Sequence, residues 1–184
     1  MNNNIFSILI KLKHVCNKQP YYRSCPEISA ESLFTLSINR ITFFFRALHY
    51  LQDFGKCERL HGHDYYLEAQ LQGLKNKENQ AVMDFQIIKQ DLMKLIKTYD
   101  KKILLAENAS NQVIRKQENK ISVTTPKKSY LFPLDSCTIL PLKATTVEEL
   151  CEYFYLRTKE LYPTFALKII LYETKGNQVS FGDF

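Results

Sequence analysis

The chain of 184 residues carries 25 basic and 19 acidic side chains, a formal net charge of +6, with 45% hydrophobic and 24% charged residues and only five glycines. That balance reads as globular rather than disordered, and the chain is long enough to bury a core of its own. No apolar run reaches the eighteen residues of a membrane helix, and lysines scattered along the chain without a base-stacking module exclude a nucleic-acid footprint.

Five cysteines, Cys16, Cys25, Cys57, Cys137 and Cys151, form no Cys-x-x-Cys pair and leave an odd count. This argues against a disulfide framework and fits reduced thiols in a cytoplasmic protein. Residues 1–32 read as an extension: Asn2-Asn3-Asn4, a mixed stretch from Ile5 to Cys16, then a polar segment broken by Pro20 and Pro26. Its charges follow the apolar run Ile5 to Ile10 instead of preceding it, the reverse of a secretory leader. Residues 33–184 are expected to form one domain.

The first strand is expected from Leu33 to Tyr50, with a break at Asn39-Arg40. In its second half Phe43, Phe45, Ala47 and His49 share one parity, so the imidazole leaves the strand on the apolar face. A loop through Asp53-Phe54-Gly55 leads to Cys57. The second strand follows from His61 to Gln72, where His63, Tyr65, Leu67, Ala69 and Leu71 alternate with polar residues. After a turn at Gly73 to Gln80, Ile87, Ile88, Leu92, Leu95, Ile96 and Tyr99 recur at helical spacing over Gln86 to Tyr99, with Asp84 placed to cap the helix start. Between Asn108 and Thr138, short pieces at Lys120 to Thr124 and Ser129 to Phe132 flank Pro126-Lys127-Lys128 and predict a hairpin. Thr146-Val147-Glu148-Glu149 is a capping box that opens a helix to about Leu161. A strand at Ala166 to Tyr172 and a strand-like piece at Val179 to Phe181 close the chain. The fold class is α+β: an antiparallel four-stranded sheet with two helices on one face, in ββααββ order, with the extra hairpin between the helices.

The chemistry concentrates in Cys57-Glu58-Arg59-Leu60-His61-Gly62-His63-Asp64-Tyr65. On a strand, His61 and His63 aim both imidazoles to one side, with Gly62 leaving the other side bare. Such a pair is also common as half-buried surface. With His49 from a neighbouring strand, however, three histidines make a zinc site with its fourth position open, the arrangement of catalytic rather than structural zinc. Cys57, four residues before His61, can hang over the same spot. Taken alone it would be an inert, half-buried thiol.

At this point an ordered series of motifs is similar to that of the 6-pyruvoyl tetrahydropterin synthase and 6-carboxytetrahydropterin synthase family. The series runs Ala47-Leu48-His49, Lys56-Cys57 through Tyr65, Val82-Met83-Asp84-Phe85, Tyr99-Asp100-Lys101-Lys102-Ile103-Leu104, Thr145-Thr146-Val147-Glu148-Glu149-Leu150 and Tyr172-Glu173-Thr174. The resemblance implies the tunnelling fold, with units associating into trimers or hexamers and active sites at subunit interfaces. It implies a catalytic Zn2+ on His49, His61 and His63, a proton-moving thiol at Cys57, and a pterin anchor at Glu173, whose carboxylate can accept two parallel N–H bonds. Thr146 and Glu148 match a Thr-x-Glu that contributes to the pterin pocket. By spacing alone Glu173 is a plain strand-end acid and Thr146 a helix cap.

One departure stands out. The family pairs an aspartate with a proton-relaying histidine; here the matching residues are Asp100 and Lys101, an asparagine common after that motif is Leu105, and the only other histidine is His14 in the extension. A lysine lacks the two-ended geometry of an imidazole. Three readings stay open: an active enzyme with a lysine in the relay, a weakened or altered enzyme, and a zinc- and pterin-binding homologue without turnover. The resemblance implies 7,8-dihydroneopterin triphosphate as substrate and either 6-pyruvoyl tetrahydropterin or, on the route to queuosine, 6-carboxy-5,6,7,8-tetrahydropterin as product. The motifs do not choose between these carbon–oxygen and carbon–carbon lyase outcomes; the lysine- and asparagine-rich composition looks bacterial, and the resemblance implies the carboxy product as the commoner outcome among bacterial members of the family.

Overall fold

The computed structural model describes residues 32–39 and 43–184. The expected extension lies outside these residues, save for Ser32; from Leu33 onward the chain forms one compact unit. Ten strands are found among the described residues: β1 Phe34–Ile38, β2 Phe44–His49, β3 His61–Gly73, β4 Lys102–Ala106, β5 Val113–Gln117, β6 Lys120–Thr124, β7 Ser129–Pro133, β8 Cys137–Leu140, β9 Ala166–Tyr172 and β10 Gln178–Gly182. The two α-helices are α1, Phe85–Lys97, and α2, Val147–Leu161. No helix is long and apolar enough to cross a membrane among the described residues.

The α+β class holds, but the sheet is larger than four strands and mixed. Its order is β10-β9-β3-β2-β4-β8, with β1 also pairing β3. The expected break in strand one is real: β1 pairs the far half of β3 (Phe34↔Gly73) and β2 the near half (His49↔His61), both antiparallel. The added strands β4 and β8 run parallel, β4 to β2 and β8 to β4. Sequence alternation misses β4 because Leu104, Leu105 and Ala106 are buried in succession, and a strand covered on both faces reads as an apolar run without a period of two; β8, with four residues, is too short to show a period. The expected hairpin is a separate three-stranded sheet, β5-β6-β7, whose strands pair only with one another. The exposed, polar β5 carries no alternation to betray it.

Phe45, Ala47, Tyr65, Leu67, Ala69, Leu71, Leu167, Ile169 and Leu171 leave the sheet on one face and are buried with Ile88, Leu92 and Ile96 of α1 and Leu150 and Phe154 of α2. Phe45 stacks on Tyr65 with centroids 5.0 Å apart and meets Phe154 edge-on at 5.5 Å. Burying side chains of this size is worth about 1.5–3 kcal/mol each, so this face fixes the register of β2 against β3. Asp84 caps α1 as its sequence predicts, accepting the Gln86 amide at 2.7 Å. At α2 only half of the capping box forms. Thr146 Oγ1 accepts the Glu149 amide at 3.5 Å, but the Glu149 carboxylate accepts from the Lys143 amide instead of reaching back to Thr146.

Candidate metal and catalytic site

His49, His61 and His63 continue the parity of the core residues to the end of β2 and β3, so the same pleat that buries Phe45 and Tyr65 brings the imidazoles together. His49 faces His61 across the ladder, and His63 lies opposite Ala47. Ring centroids are 4.6 Å (His49–His61), 5.1 Å (His49–His63) and 5.0 Å (His61–His63) apart. One potential ligand atom from each lies within 4.8 Å of the others.

Two of the rings are held by backbone. His49 Nδ1 is 2.8 Å from the Thr145 carbonyl oxygen, and His61 Nδ1 is 2.7 Å from that of Arg59. A carbonyl only accepts, so each Nδ1 is the donor nitrogen and each Nε2 is left as the lone-pair side of the ring. This is the orientation that metal-binding histidines commonly take from their outer partners. His49 is wholly buried, and burial, against the pull of its Thr145 bond, lowers its pKa from 6.5 to about 4, with the neighbouring His61 and His63 adding to the depression. The pKa of His63 is also lowered, chiefly by burial, while the Glu173 carboxylate works the other way. Three imidazoles gathered from two strands, two of them with Nδ1 engaged by a carbonyl oxygen, fit a divalent cation that takes nitrogen donors.

Glu173 follows β9 directly and brings its carboxylate to the same place. Its Oε1 is 3.7 Å from His63 Nε2 and 3.8 Å from His49 Nε2. Tyr65, which sequence reasoning passed over as core, puts its hydroxyl 3.5 Å from both nitrogens of His49. Burial, reinforced by the Glu173 charge, pushes its pKa upward, so it stays protonated. Thr145 was missed as well. Its contribution is a main-chain oxygen, which every residue has, so no side-chain signal could have found it.

Cys57 is exposed on a single 3-10 turn, Gly55–Glu58, between β2 and β3. The ends of that loop are His49 and His61, so the thiol hangs from the segment joining two of the histidines. Asp100 and Lys101 stand elsewhere. Asp100 Oδ1 accepts the Arg46 amide at 2.9 Å, and the Lys101 amide donates to the Arg46 carbonyl at 2.6 Å, which starts the β2–β4 ladder. Lys101 sits in the left-handed region (φ 59) and borders an open hollow whose lining includes Arg46, Leu48, Gly62, Asp64 and also His63 of the imidazole cluster. The side chains of Arg46, Leu48 and Asp64 leave β2 and β3 on the face opposite the imidazoles. Among the described residues no hydrogen bond or ion pair joins Asp100 or Lys101 to Cys57 or the histidines. Thr146 is occupied as the cap of α2, and Glu148 is exposed on its first turn.

Comparison with known proteins agrees with this architecture. The family described as 6-pyruvoyl tetrahydropterin synthase matches residues 38–183. A Methanocaldococcus jannaschii protein provisionally named 6-carboxy-5,6,7,8-tetrahydropterin synthase is 28% identical over 110 residues, 60% of this chain and 68% of that one. A Pyrococcus abyssi protein with the same provisional name is 30% identical over 105 residues, 57% of this chain and 61% of its own length, short of two thirds. Among solved structures, the 6-pyruvoyl tetrahydropterin synthases of Plasmodium vivax (22% identity) and Plasmodium falciparum (23%) superpose with a TM-score of 0.76, each covering 83% of this chain and 99% of the other. With its ordered motifs, its histidine cluster and a family match over nearly the whole described fold, the chain belongs to the 6-pyruvoyl tetrahydropterin synthase family.

Proposed function

We propose that the chain is a zinc-dependent pterin synthase that acts on 7,8-dihydroneopterin triphosphate and forms 6-carboxy-5,6,7,8-tetrahydropterin, with 6-pyruvoyl tetrahydropterin as the other product open to the same site. The observation that carries this reading is the histidine cluster: three imidazoles on one face, two with Nδ1 committed to carbonyl oxygens, leaving Nε2 as the ligand side of each. The carboxy product is favoured by the provisional names of the archaeal relatives.

His49, His61 and His63 would hold the zinc, which supplies Lewis acidity toward the oxygens of the substrate side chain and so acidifies the adjacent C–H. Glu173 would accept two N–H bonds from the amino-pyrimidinone edge and seat the pterin beside the imidazoles. Thr146 and Glu148 would border that pocket. Cys57, as thiolate, would take and return protons at the side-chain carbons. In one chain Asp100 and Lys101 stand apart from Cys57, which supports a site completed by a second copy in a trimer or hexamer, with Lys101 presenting a cation where the family has an imidazole.

Two further readings have support of their own. A solved variant of the P. vivax protein is described as lacking a catalytic glutamate residue, and Glu58, next to Cys57 on the same turn, offers a carboxylate for proton transfer. The lysine at position 101 also supports a homologue that binds zinc and pterin without converting it. Incubating the zinc-loaded chain with 7,8-dihydroneopterin triphosphate and following products by mass spectrometry separates these readings. A carboxy- or pyruvoyl-pterin that disappears in Cys57→Ala supports the thiol, and one that disappears only in Glu58→Gln moves the role to the carboxylate. No product from wild type, with product gained in Lys101→His, identifies the binding homologue.

A further inference from the structure

The turn that carries Cys57 has few ties of its own. The Leu51 amide donates to the Cys57 carbonyl at 2.9 Å, the Cys57 amide to the Phe54 carbonyl at 3.1 Å and the Arg59 amide to the Lys56 carbonyl at 3.2 Å. Two of its residues, Asp53 (φ 63) and Gly55 (φ 59), hold left-handed conformations, which an aspartate adopts at some cost. Something outside the turn has to hold it.

The tip between β6 and β7 comes down on it. That tip is stiff: Pro126 fixes one φ, the Thr125 amide donates to the Lys128 carbonyl at 2.8 Å, and the Lys128 amide to Thr125 Oγ1 at 3.0 Å. From it Lys127 Nζ reaches Glu58 Oε1 at 2.6 Å and Asp53 Oδ1 at 3.5 Å, bracketing the turn from both sides. Lys128 Nζ donates to the Glu58 carbonyl at 2.6 Å. Below the tip the two parts share an apolar layer: Tyr130 stacks on Tyr50 with centroids 5.2 Å apart, and Tyr50 is buried with Ile121, Val123 and Phe132. The three-stranded sheet pairs with no strand of the main sheet; it bears on the rest of the fold through these contacts and through Leu105 of β4, buried in the same layer.

We propose that the β6–β7 tip is a clamp in which Lys127 and Lys128 position the Cys57–Glu58 turn relative to the imidazole cluster. Exposed ion pairs add little to global stability, so the clamp acts on geometry. A reacting group displaced by an ångström loses most of its rate advantage, and the turn hangs between His49 and His61 with three short-range main-chain bonds of its own, none of which ties it to the β6–β7 tip. The kinetic consequence rests on the reading that this turn exchanges protons with a pterin; the mechanical one does not.

Amide hydrogen exchange on the full chain tests the mechanical part without turnover. In Lys127→Ala/Lys128→Ala, exchange in peptides covering residues 51–59 rises at least about tenfold while peptides of β3 and β9 keep their protection. Lys127→Arg/Lys128→Arg, which preserves both donors, restores slow exchange. In pterin conversion the alanine pair lowers kcat at least about tenfold with KM within about threefold, and the arginine pair recovers it. Unchanged exchange in 51–59 overturns the clamp, as does faster exchange with unaltered kcat. Should the double variant loosen β3 too, Lys128→Met, which removes one bond alone, decides by the same peptides. A wild-type chain that converts no pterin defeats the functional reading, and the exchange arm then decides the clamp by itself.

Discussion

His49 Nδ1 donates to the carbonyl oxygen of Thr145 across 2.8 Å, joining the end of β2 to the residue before the cap of α2. The bond fixes the tautomer of a wholly buried ring, and Thr145 Oγ1 in turn donates to the Tyr50 carbonyl at 3.5 Å. Sheet and helix therefore meet at the ring, and its protonation state matters to the fold.

The metal-free protein should lose stability on mild acidification. With the His49 pKa lowered from 6.5 to about 4 by burial, the unfolded chain binds the proton first, so stability is full above about 6.5 and falls as pH drops toward 4. The displacement corresponds to at most ~3 kcal/mol. Urea midpoints of the chelator-treated chain between pH 7.5 and pH 4 should show this slope, and His49→Asn should flatten it while lowering stability at pH 7.5. A wild-type midpoint that does not move over this range would remove burial of a neutral His49 from the account.

Metal binding should depend on all three rings. Replacing His49, His61 or His63 by alanine should weaken zinc retention by more than about a hundredfold, beyond the 10–100-fold typical of losing an outer partner. Zinc per chain after dialysis against a competing chelator reads this directly. Full retention in His63→Ala would leave a two-histidine site and sink the three-ring arrangement.

Much of this was legible in the sequence, for reasons that differ by element. The parity of Phe45, Ala47 and His49 with Tyr65, His63 and His61 is a period-two signal, and it placed the imidazoles together before any coordinates. Asp84 and Thr146 were legible as caps because capping needs particular side chains. The parallel strand β4 was not, since burial on both faces erases alternation, and β8, with four residues, is too short to show a period. Thr145 and Arg59 were not, since their role is carried by backbone oxygen. The placement of Lys101 was hidden for another reason: its adjacency to Asp100 in sequence says nothing about which sheet face the pair borders.

Lys101 should tolerate glycine better than alanine. At φ 59 a residue with a Cβ is held in the left-handed region, at a cost of roughly 1 kcal/mol relative to glycine. Lys101→Gly should therefore be more stable than Lys101→Ala by about that amount, with the Lys101 amide bond to Arg46 intact in both. Equal unfolding midpoints would mean that the bonds to Arg46 absorb the strain. Asp100→Ala removes the acceptor of the Arg46 amide and should cost roughly 1–2 kcal/mol whatever the oligomeric state.

The far end of the fold is closed by Asp183. Its carboxylate accepts from Tyr155 Oη at 2.6 Å, Lys159 Nζ at 2.8 Å and the Leu167 amide at 2.9 Å, tying the residue after β10 to α2 and β9. The Lys159 bond first, then Tyr155 and Leu167, hold its pKa near 2 instead of 3.8. This contribution is thus full above about pH 4 and lost as pH falls through 2, where the folded form takes up its proton. The side chain is 32% exposed, so solvent screens part of the gain, and Asp183→Ala should cost only ~1 kcal/mol at pH 7. The gap to wild type should shrink near pH 2. The neighbouring Gly182 adds a steric arm to the same closure. A Cβ there would lie 2.3 Å from the Leu167 carbonyl oxygen and 2.5 Å from Lys168 Cα, both backbone atoms of β9 that cannot swing aside. Gly182→Ala should therefore push β10 off β9, costing about 1–3 kcal/mol and speeding amide exchange in Gln178–Gly182 but not in His61–Gly73. Exchange that stays slow in both strands would show that β10 is anchored by its remaining ladder alone, and Asp183 would lose its part in holding the end of the sheet.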